Sequence, residues 1–285
     1  LSALPFWHEW FYLERFIAGL SRGVLVAVLA ATIPLARNPE RLTALIILVD
    51  SSATMLLYIL LPYLINQYGL VGAYGFLSVL TLVLAPLFFL IPATGPAPTA
   101  LSAVMRSDTG RVAVYSVLLS IAGTALWSFT ERMGVSIGID LATIGQIFAG
   151  SILIGLMGAS SAALIGQRLG TFWPIMIAST IGVLAAISMP QVSSVVAFTV
   201  IFCILQLSQQ FNDPFKIGVI ARLDTEGRLM GITAGTGLLG AAFGPFLAGV
   251  IVEDGGFHRL SYLYFGLAVV SYAAFWPLLW RDQAR

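Results

Sequence analysis

Four polar side chains stand at helical spacing inside a largely apolar segment. Gln206, Gln209 and Gln210 occupy positions i, i+3 and i+4, and Asp213 follows at i+7, so a helix places all four on one face. Amides and carboxylates left unsatisfied in hydrocarbon are costly, and such a face therefore turns toward protein or water. It can hydrogen-bond either a polar solute in a cavity or a neighbouring helix, and we favour the cavity.

Two single ionisable residues lie inside other apolar segments. Asp50 is followed by Ser51 and Ser52, and burial of a carboxyl group favours its protonated form. Asp50 is therefore our candidate proton site, although a hydrogen bond between helices would use the same group. Arg22 lies two turns inside its segment, where a cation needs a cavity or a partner. It either lines a solute path or pairs with an acid.

The sequence contains no recognisable reaction centre. His8 and His258, the two histidines, lie outside the apolar segments, and the single Cys203 lies within one, where we interpret it as packing. The motif HExxH and the Walker loop GxxxxGK[ST] are absent from the sequence. The letters of GxSxG at Gly19–Gly23 and of GxGxxG at Gly235–Gly240 fall inside apolar segments, without the strand-to-helix turn that those motifs require. We expect no metal, no cofactor and no enzymatic activity, and the scattered basic residues do not indicate a nucleic-acid partner.

The elements that must position these residues are long and apolar. Hydrophobic residues make up 59% of the 285 and charged residues only 9%, whereas soluble domains carry about 25% charged residues. A run of about 20 apolar residues crosses a hydrocarbon core. We predict an all-α transmembrane bundle with nine spans, at 15–36, 43–66, 70–92, 112–134, 140–165, 172–189, 192–212, 229–252 and 259–280.

Basic residues are distributed unevenly over the connections between these spans. If alternate connections face the cytoplasm, one set together with the C-terminus holds ten of the fourteen Lys and Arg residues. The positive-inside tendency then predicts a cytoplasmic C-terminus and an external N-terminus, in a bacterial-type inner (plasma) membrane with anionic lipid as a partner. The ten residues are Arg37, Arg41, Arg106, Arg111, Arg168, Lys216, Arg222, Arg228, Arg281 and Arg285.

The longest non-apolar stretch divides the chain. Residues 93–111 contain prolines, glycine and charged residues, and we predict a cytoplasmic linker there. It separates a partial bundle of three spans, residues 1–92, from a six-span bundle, residues 112–285. Because the chain opens with Leu1 at an external end, we expect that it is a fragment.

Four segments resemble the major facilitator superfamily, one of which is Trp127–Arg132. The most specific is the loop Ala221–Arg228 followed by the run Gly240–Gly249, which contains Gly244 and Pro245; it is similar to the loop before the eleventh helix of that family and to the helix itself. Gly166-Gln167-Arg168-Leu169-Gly170 resembles the family's short cytoplasmic loop, with Gln167 where the family has Asp. Arg15 to Gly23, which includes Arg22, is similar to the family's fourth helix.

The resemblance implies a two-bundle transporter that works by alternating access, with this chain spanning the fourth to twelfth helices and three helices missing upstream. It implies a latch at Gly166, Arg168 and Gly170, and a moving helix around Gly240, Gly244, Pro245 and Gly249. It also places Trp127, Glu131 and Arg132 beside the central cavity, although we slightly favour the alternative, an aromatic belt with a surface ion pair.

The function expected from this reading is secondary active transport of a small organic solute. The amide-rich and aromatic candidates favour a neutral or amphipathic solute, exported in exchange for protons by a monomer. A permease for uptake of a sugar or a small organic acid is one alternative. A truncated membrane protein that binds a partner or lipid without transport is another.

Overall fold

Every regular element that the structure describes is helical. The computed structural model describes residues 17, 19, 21, 23, 25 and 26, which are helical, and the ranges 39–90, 107–165, 170–224 and 228–283. Short 3-10 turns occupy Ala85–Leu90 and Met189–Gln191. The α-helices are α1 (Pro39–Leu84), α2 (Ser107–Ser136), α3 (Leu141–Ile165), α4 (Phe172–Ser188), α5 (Val195–Leu223), α6 (Arg228–Gly255) and α7 (His258–Gln283).

Seven helical segments in the described ranges are long and apolar enough to cross a membrane, and Leu45–Leu61 is a shorter apolar helix. The chain is therefore a multi-pass integral membrane protein. The predicted count of nine spans is not confirmed. The predicted spans 43–66 and 70–92 both fall in α1, whose backbone is non-helical at Gly69 (φ 66°, ψ −172°), so α1 consists of two helical parts that meet at a kink between the two predicted spans. Glycine adopts this positive φ without steric penalty. Most of the predicted span 15–36 lies outside the described residues.

Two predicted boundaries differ from the observed ones. Helix α2 begins at Ser107, inside the predicted linker 93–111, of which residues 93–106 lie outside the described ranges. Helix α5 continues to Leu223 and includes Pro214, whereas the predicted span ends at 212. Proline normally interrupts a helix, but within a membrane bundle neighbouring groups can satisfy the freed carbonyl. Lys216, predicted in a loop, therefore lies inside α5.

Polar side chains cap the starts of α3, α5 and α6. Asp140 accepts hydrogen bonds from the backbone N–H (2.9 Å) and hydroxyl (2.6 Å) of Thr143. The hydroxyl bond, and then the backbone bond, hold the pKa of Asp140 below its ordinary value of 3.8. Ser194 accepts from the backbone N–H of Ala197 at the start of α5, and Asp224 accepts from two N–H groups in the first turn of α6.

Glycines allow several of these helices to approach closely. A Cβ atom on Gly244 of α6 would lie 2.7 Å from the carbonyl oxygen of Ile121 in α2, and a Cβ on Gly240 would contact the Val117 carbonyl. A Cβ on Gly158 of α3 would lie 2.5 Å from the Leu207 carbonyl of α5. The pairs α2–α6 and α3–α5 thus pack through backbone contact, as small residues permit in membrane bundles.

Ion pairs join helix ends at one end of the bundle, which we call the basic end. The side chain of Asp282 in α7 is only 5% exposed; it accepts from Arg222 of α5 at 2.7 and 2.8 Å and from the hydroxyl of Thr171 at 2.8 Å. Asp108 of α2 accepts from Arg281 of α7 at 2.6 and 2.7 Å. These contacts tie together the ends of α2, α4, α5 and α7.

Candidate functional site

A polar cavity of about 250 Å³ lies inside the bundle, among α2, α4, α5 and α7. A space of this size can hold a small organic molecule or several waters. Its wall on α2 and α4 consists mostly of small residues, including Ser120 and Ser179, whereas α5 presents amide, carboxyl and ammonium groups. The lining residues are Leu119, Ser120, Gly123, Ala178, Ser179, Gly182, Val183, Ser208, Gln209, Asn212, Asp213, Lys216, Tyr264 and Tyr272.

Four residues of α5 form the polar face of the cavity. Gln209, Asn212, Asp213 and Lys216 stand at i, i+3, i+4 and i+7, so that one helical face carries them all. Because Pro214 does not end the helix, this face continues for a further turn beyond the predicted span. It therefore places a cation beside the predicted amides and carboxylate.

A salt bridge at the cavity wall joins Lys216 and Asp213. The Lys216 Nζ lies 2.7 Å from Oδ1 of Asp213, and Lys216 also donates a hydrogen bond to the hydroxyl of Tyr115 on α2. Lys216 is buried, whereas the Asp213 side chain is 44% exposed. The carboxylate is thus the member of the pair that a ligand or a proton in the cavity can reach.

Asn212 carries the one buried side-chain oxygen in the described ranges that has no hydrogen-bond partner. Its amide nitrogen donates to the hydroxyl of Ser179 at 2.7 Å, and the residue is 2% exposed. An unmade hydrogen bond at a buried polar atom costs about 1–3 kcal/mol. The Oδ1 atom therefore marks a position where a hydrogen-bond donor would bind favourably.

Comparison with known proteins gives no relative for this chain. No family model matches it, and no curated protein matches it. The arrangement of the cavity must therefore be interpreted from its own chemistry. In the ranges that the structure describes, no three His, Cys, Asp or Glu residues are grouped so that they could hold a metal ion.

The predicted polar stripe of α5 is divided between two neighbours. Gln209 and Asp213 line the cavity, and Gln209 also hydrogen-bonds to Tyr264. The side chain of Gln210 and the carbonyl of Gln206 instead pack against Gly155 of α3, where a Cβ would lie 2.9 Å from Gln210 Cγ. The stripe therefore contributes to two surfaces, the cavity wall and the packing contact with α3.

Three other predicted residues lie near the far end of α2, away from the cavity. Trp127 packs against the rings of Phe148 and Phe202, with centroid distances of 5.5 and 5.8 Å. The guanidinium of Arg132 lies 5.1 Å from the centroid of the Phe129 ring, and Glu131 is exposed. None of the three lines the polar cavity inside the bundle.

Asp50 is exposed on α1, so the burial on which its prediction as a proton site relied is absent. Arg22, Gly166 and Arg168 lie outside the described residues. Gly170 adopts a φ of 65° immediately before Thr171, a turn that glycine favours.

In the run that resembles the eleventh helix of the major facilitator superfamily, Gly240 and Gly244 are buried against α2. Pro245 and Gly249 show no such contact: Pro245 is exposed, and a Cβ on Gly249 would have no atom within 4 Å.

Sequence reasoning missed several residues of the site. Lys216 was predicted in a loop and Asn212 at the end of a helix, because the predicted span stops at 212. The spacing of seven between Gln209 and Lys216 is the signal that could have found the cation. The tyrosines on α2 and α7 carry no comparable signal, since an aromatic residue in an apolar helix is ordinary.

Proposed function

We propose that this protein is a secondary active transporter of the major facilitator type, which moves a small organic solute by alternating access with proton coupling. One observation carries the proposal: the Lys216–Asp213 pair and Asn212, whose buried oxygen has no hydrogen-bond partner, line a polar cavity among membrane-spanning helices. Ionisable residues inside transmembrane segments are costly and typically mark solute or proton pathways.

A purely structural role accounts poorly for this arrangement. A structural ion pair in a low-dielectric interior requires its remaining polar groups to be satisfied and water to be excluded. Here the pair borders a space of about 250 Å³, and the Asn212 oxygen beside it has no partner. These properties are expected of a cavity that binds and releases a solute in each transport cycle.

Asp213 is the proposed proton site in place of Asp50. Its carboxylate is reached from the cavity, and its protonation would remove the charge that holds Lys216. Lys216 would then keep its bond to Tyr115 of α2. Proton binding would thereby change how α5 is held against α2, which is the coupling that a proton-driven cycle requires. The other ionisable groups near the pair are Tyr264 and Tyr272 of α7.

The proposed orientation places the basic end in the cytoplasm. Arg111, Arg222, Arg228 and Arg281 belong to that end in the described ranges, which agrees with the positive-inside tendency. Lys216 lies inside α5 and no longer counts among the basic residues of the loops. The other nine of the ten predicted residues remain, so the positive-inside argument for this orientation still applies. Export remains the proposed direction, with uptake of a sugar or organic acid as the competing one.

The test is flux into proteoliposomes of the full chain under an imposed pH gradient. Three probes cover the candidate classes: glucose, lactate and the amphipathic dye ethidium. We expect gradient-dependent movement of one probe and its loss in Asp213→Asn, which keeps the side-chain shape but cannot ionise. Glu253→Gln, at an exposed acid of α6, is the matched control and should transport normally.

Two results would overturn the proposal. One is the absence of gradient-driven flux for every probe in the wild-type protein, which would favour a membrane protein that binds without transporting. The other is equal flux in Asp213→Asn and the wild type, which would remove the ion pair from the mechanism. The direction of accumulation under the same gradient separates export from uptake.

A further inference from the structure

A second, apolar space adjoins the polar cavity. It is a groove of about 390 Å³ between α4 and α7. Tyr272 lines both spaces, so the polar interior of the bundle and this groove meet at this residue. The groove is lined by Ile175, Met176, Tyr272, Ala273, Phe275, Trp276 and Leu279.

The groove opens on the outer surface of the bundle. Ile175, Phe275 and Leu279 are buried and form its floor, while Ala273 and Trp276 are exposed at its rim. Tyr272 lies eleven residues from the end of α7 at Gln283, about 16 Å along a helix, which is near the middle of a hydrocarbon core about 30 Å thick. The groove extends from that depth toward the basic end, within one leaflet of the bilayer.

We propose that the groove and the polar cavity form one binding site for a neutral, single-tailed amphiphile that enters from the lipid between α4 and α7. Its tail occupies the groove, its head group occupies the cavity, and Tyr272 lies at the junction. The proposal names the substrate class and entry route of the proposed transport site and rests on that function for its role in a cycle, but binding itself can be measured separately.

The chemistry of the cavity selects the head group. The Asn212 oxygen lacks a donor, and the half-exposed carboxylate of Asp213 faces the same space. Both accept hydrogen bonds, so the head group must donate them. Lys216 is held by Asp213 and Tyr115 and would repel a second cation nearby. A hydroxyl or amide head satisfies these conditions better than an ammonium or a carboxylate.

The experiment uses a monoacylglycerol that carries a photoreactive diazirine in its tail. The full-length chain in phosphatidylcholine nanodiscs is irradiated with this probe, and mass spectrometry locates the adducts. We expect saturable labelling of groove residues such as Met176 and Trp276. Labelling at the lipid-facing residues Leu153 and Met157 of α3 should rise without saturation.

Competition and variants identify the head-group site. Unlabelled monoacylglycerol should compete for groove labelling about tenfold better than a fatty acid or an alkyltrimethylammonium of equal length, since one hydrogen bond to a buried acceptor is worth about that factor. Asn212→Leu should weaken saturable labelling by a similar factor. Asn66→Leu, at an exposed asparagine of α1, is the matched control and should have no effect.

A second variant tests the groove without touching the buried core. Ala273→Trp fills the groove from its exposed rim and should abolish groove labelling, whereas Ala163→Trp, at an exposed alanine of α3, should not. The inference is overturned if groove labelling does not saturate, or if the three competitors are equivalent. The labelling experiment applies no pH gradient and therefore measures binding without transport. Flux can be absent while labelling saturates, and flux can be present while labelling does not saturate, so failure of this inference and failure of the proposed function are distinguishable.

Discussion

Gly244 offers a sharp test of the packing between α2 and α6. A Cβ at this position would lie 2.7 Å from the carbonyl oxygen of Ile121 and 2.9 Å from the backbone nitrogen of Ala125, and would also meet the Thr124 hydroxyl. Ordinary contact begins at 3.4 Å, so Gly244→Ala must separate the helices locally by about 0.7 Å, the difference between 3.4 and 2.7 Å. Two of the three obstacles are backbone atoms, which cannot rotate away.

The expected cost of Gly244→Ala follows from these contacts. Overpacking of this kind costs about 3 kcal/mol at the upper end of the observed range, and the better helix propensity of alanine returns about 1 kcal/mol. The net loss of about 2 kcal/mol corresponds to a fall of about 4–8 °C in the thermal unfolding midpoint. Gly249→Ala, on the same helix but with no atom within 4 Å of the new Cβ, should leave the midpoint unchanged or raise it.

The measurement is thermal unfolding of both variants in one detergent, followed by circular dichroism. If Gly244→Ala unfolds at or above the wild-type midpoint, then α2 and α6 do not approach as closely as described here. If Gly249→Ala lowers the unfolding midpoint by as much as Gly244→Ala does, the loss of stability comes from reduced helix flexibility and not from the contact with α2. Either result would refute the argument from close packing.

Three further outcomes are expected. Asp282→Asn should lower the thermal midpoint, because it weakens a buried acceptor that holds Arg222, and an effect of about 1–3 kcal/mol is typical; a midpoint equal to the wild type would contradict this. The pKa of Asp140 is lowered by Thr143, so its stabilising effect should be complete above the ordinary carboxyl pKa and disappear as the pH falls through the lower folded-state value. The difference in midpoint between wild type and Asp140→Asn, measured from pH 7 to pH 2, should therefore shrink only at the acidic end. Lys216→Met should abolish gradient-driven flux, and normal flux would exclude a role for the ion pair.

The membrane fold was predictable because long apolar runs are nearly sufficient to identify transmembrane helices. The boundaries of α3, α4 and α7 agree with the predicted spans to within a few residues. The continuation of α5 through Pro214 was not predictable by the same means. Proline usually interrupts a helix because it removes one backbone hydrogen bond and introduces a steric clash. Whether a helix tolerates both effects depends on the neighbouring helices.

The candidate site was only partly predictable, because helical periodicity states which residues share a face but not what the face meets. Gln209 and Gln210 were assigned one environment, yet one lines the cavity and the other packs on Gly155 of α3. Asp50 illustrates the same limit, since its exposure depends on which helices cover α1. Burial is a property of the tertiary arrangement, and a single sequence carries little information about it.

The ion pairs at the basic end have a mechanical consequence. Asp282 and Asp108 hold the ends of α2, α4, α5 and α7 together at the basic end. Each of these helices is therefore anchored at that end. A helix of 26 residues such as α7 is about 39 Å long, and a tilt of about 10° about the fixed base displaces its opposite end by about 7 Å. Motion within this bundle therefore grows with distance from the basic end, and the largest excursions belong to the turns around Asp140, Gln191 and Gly256.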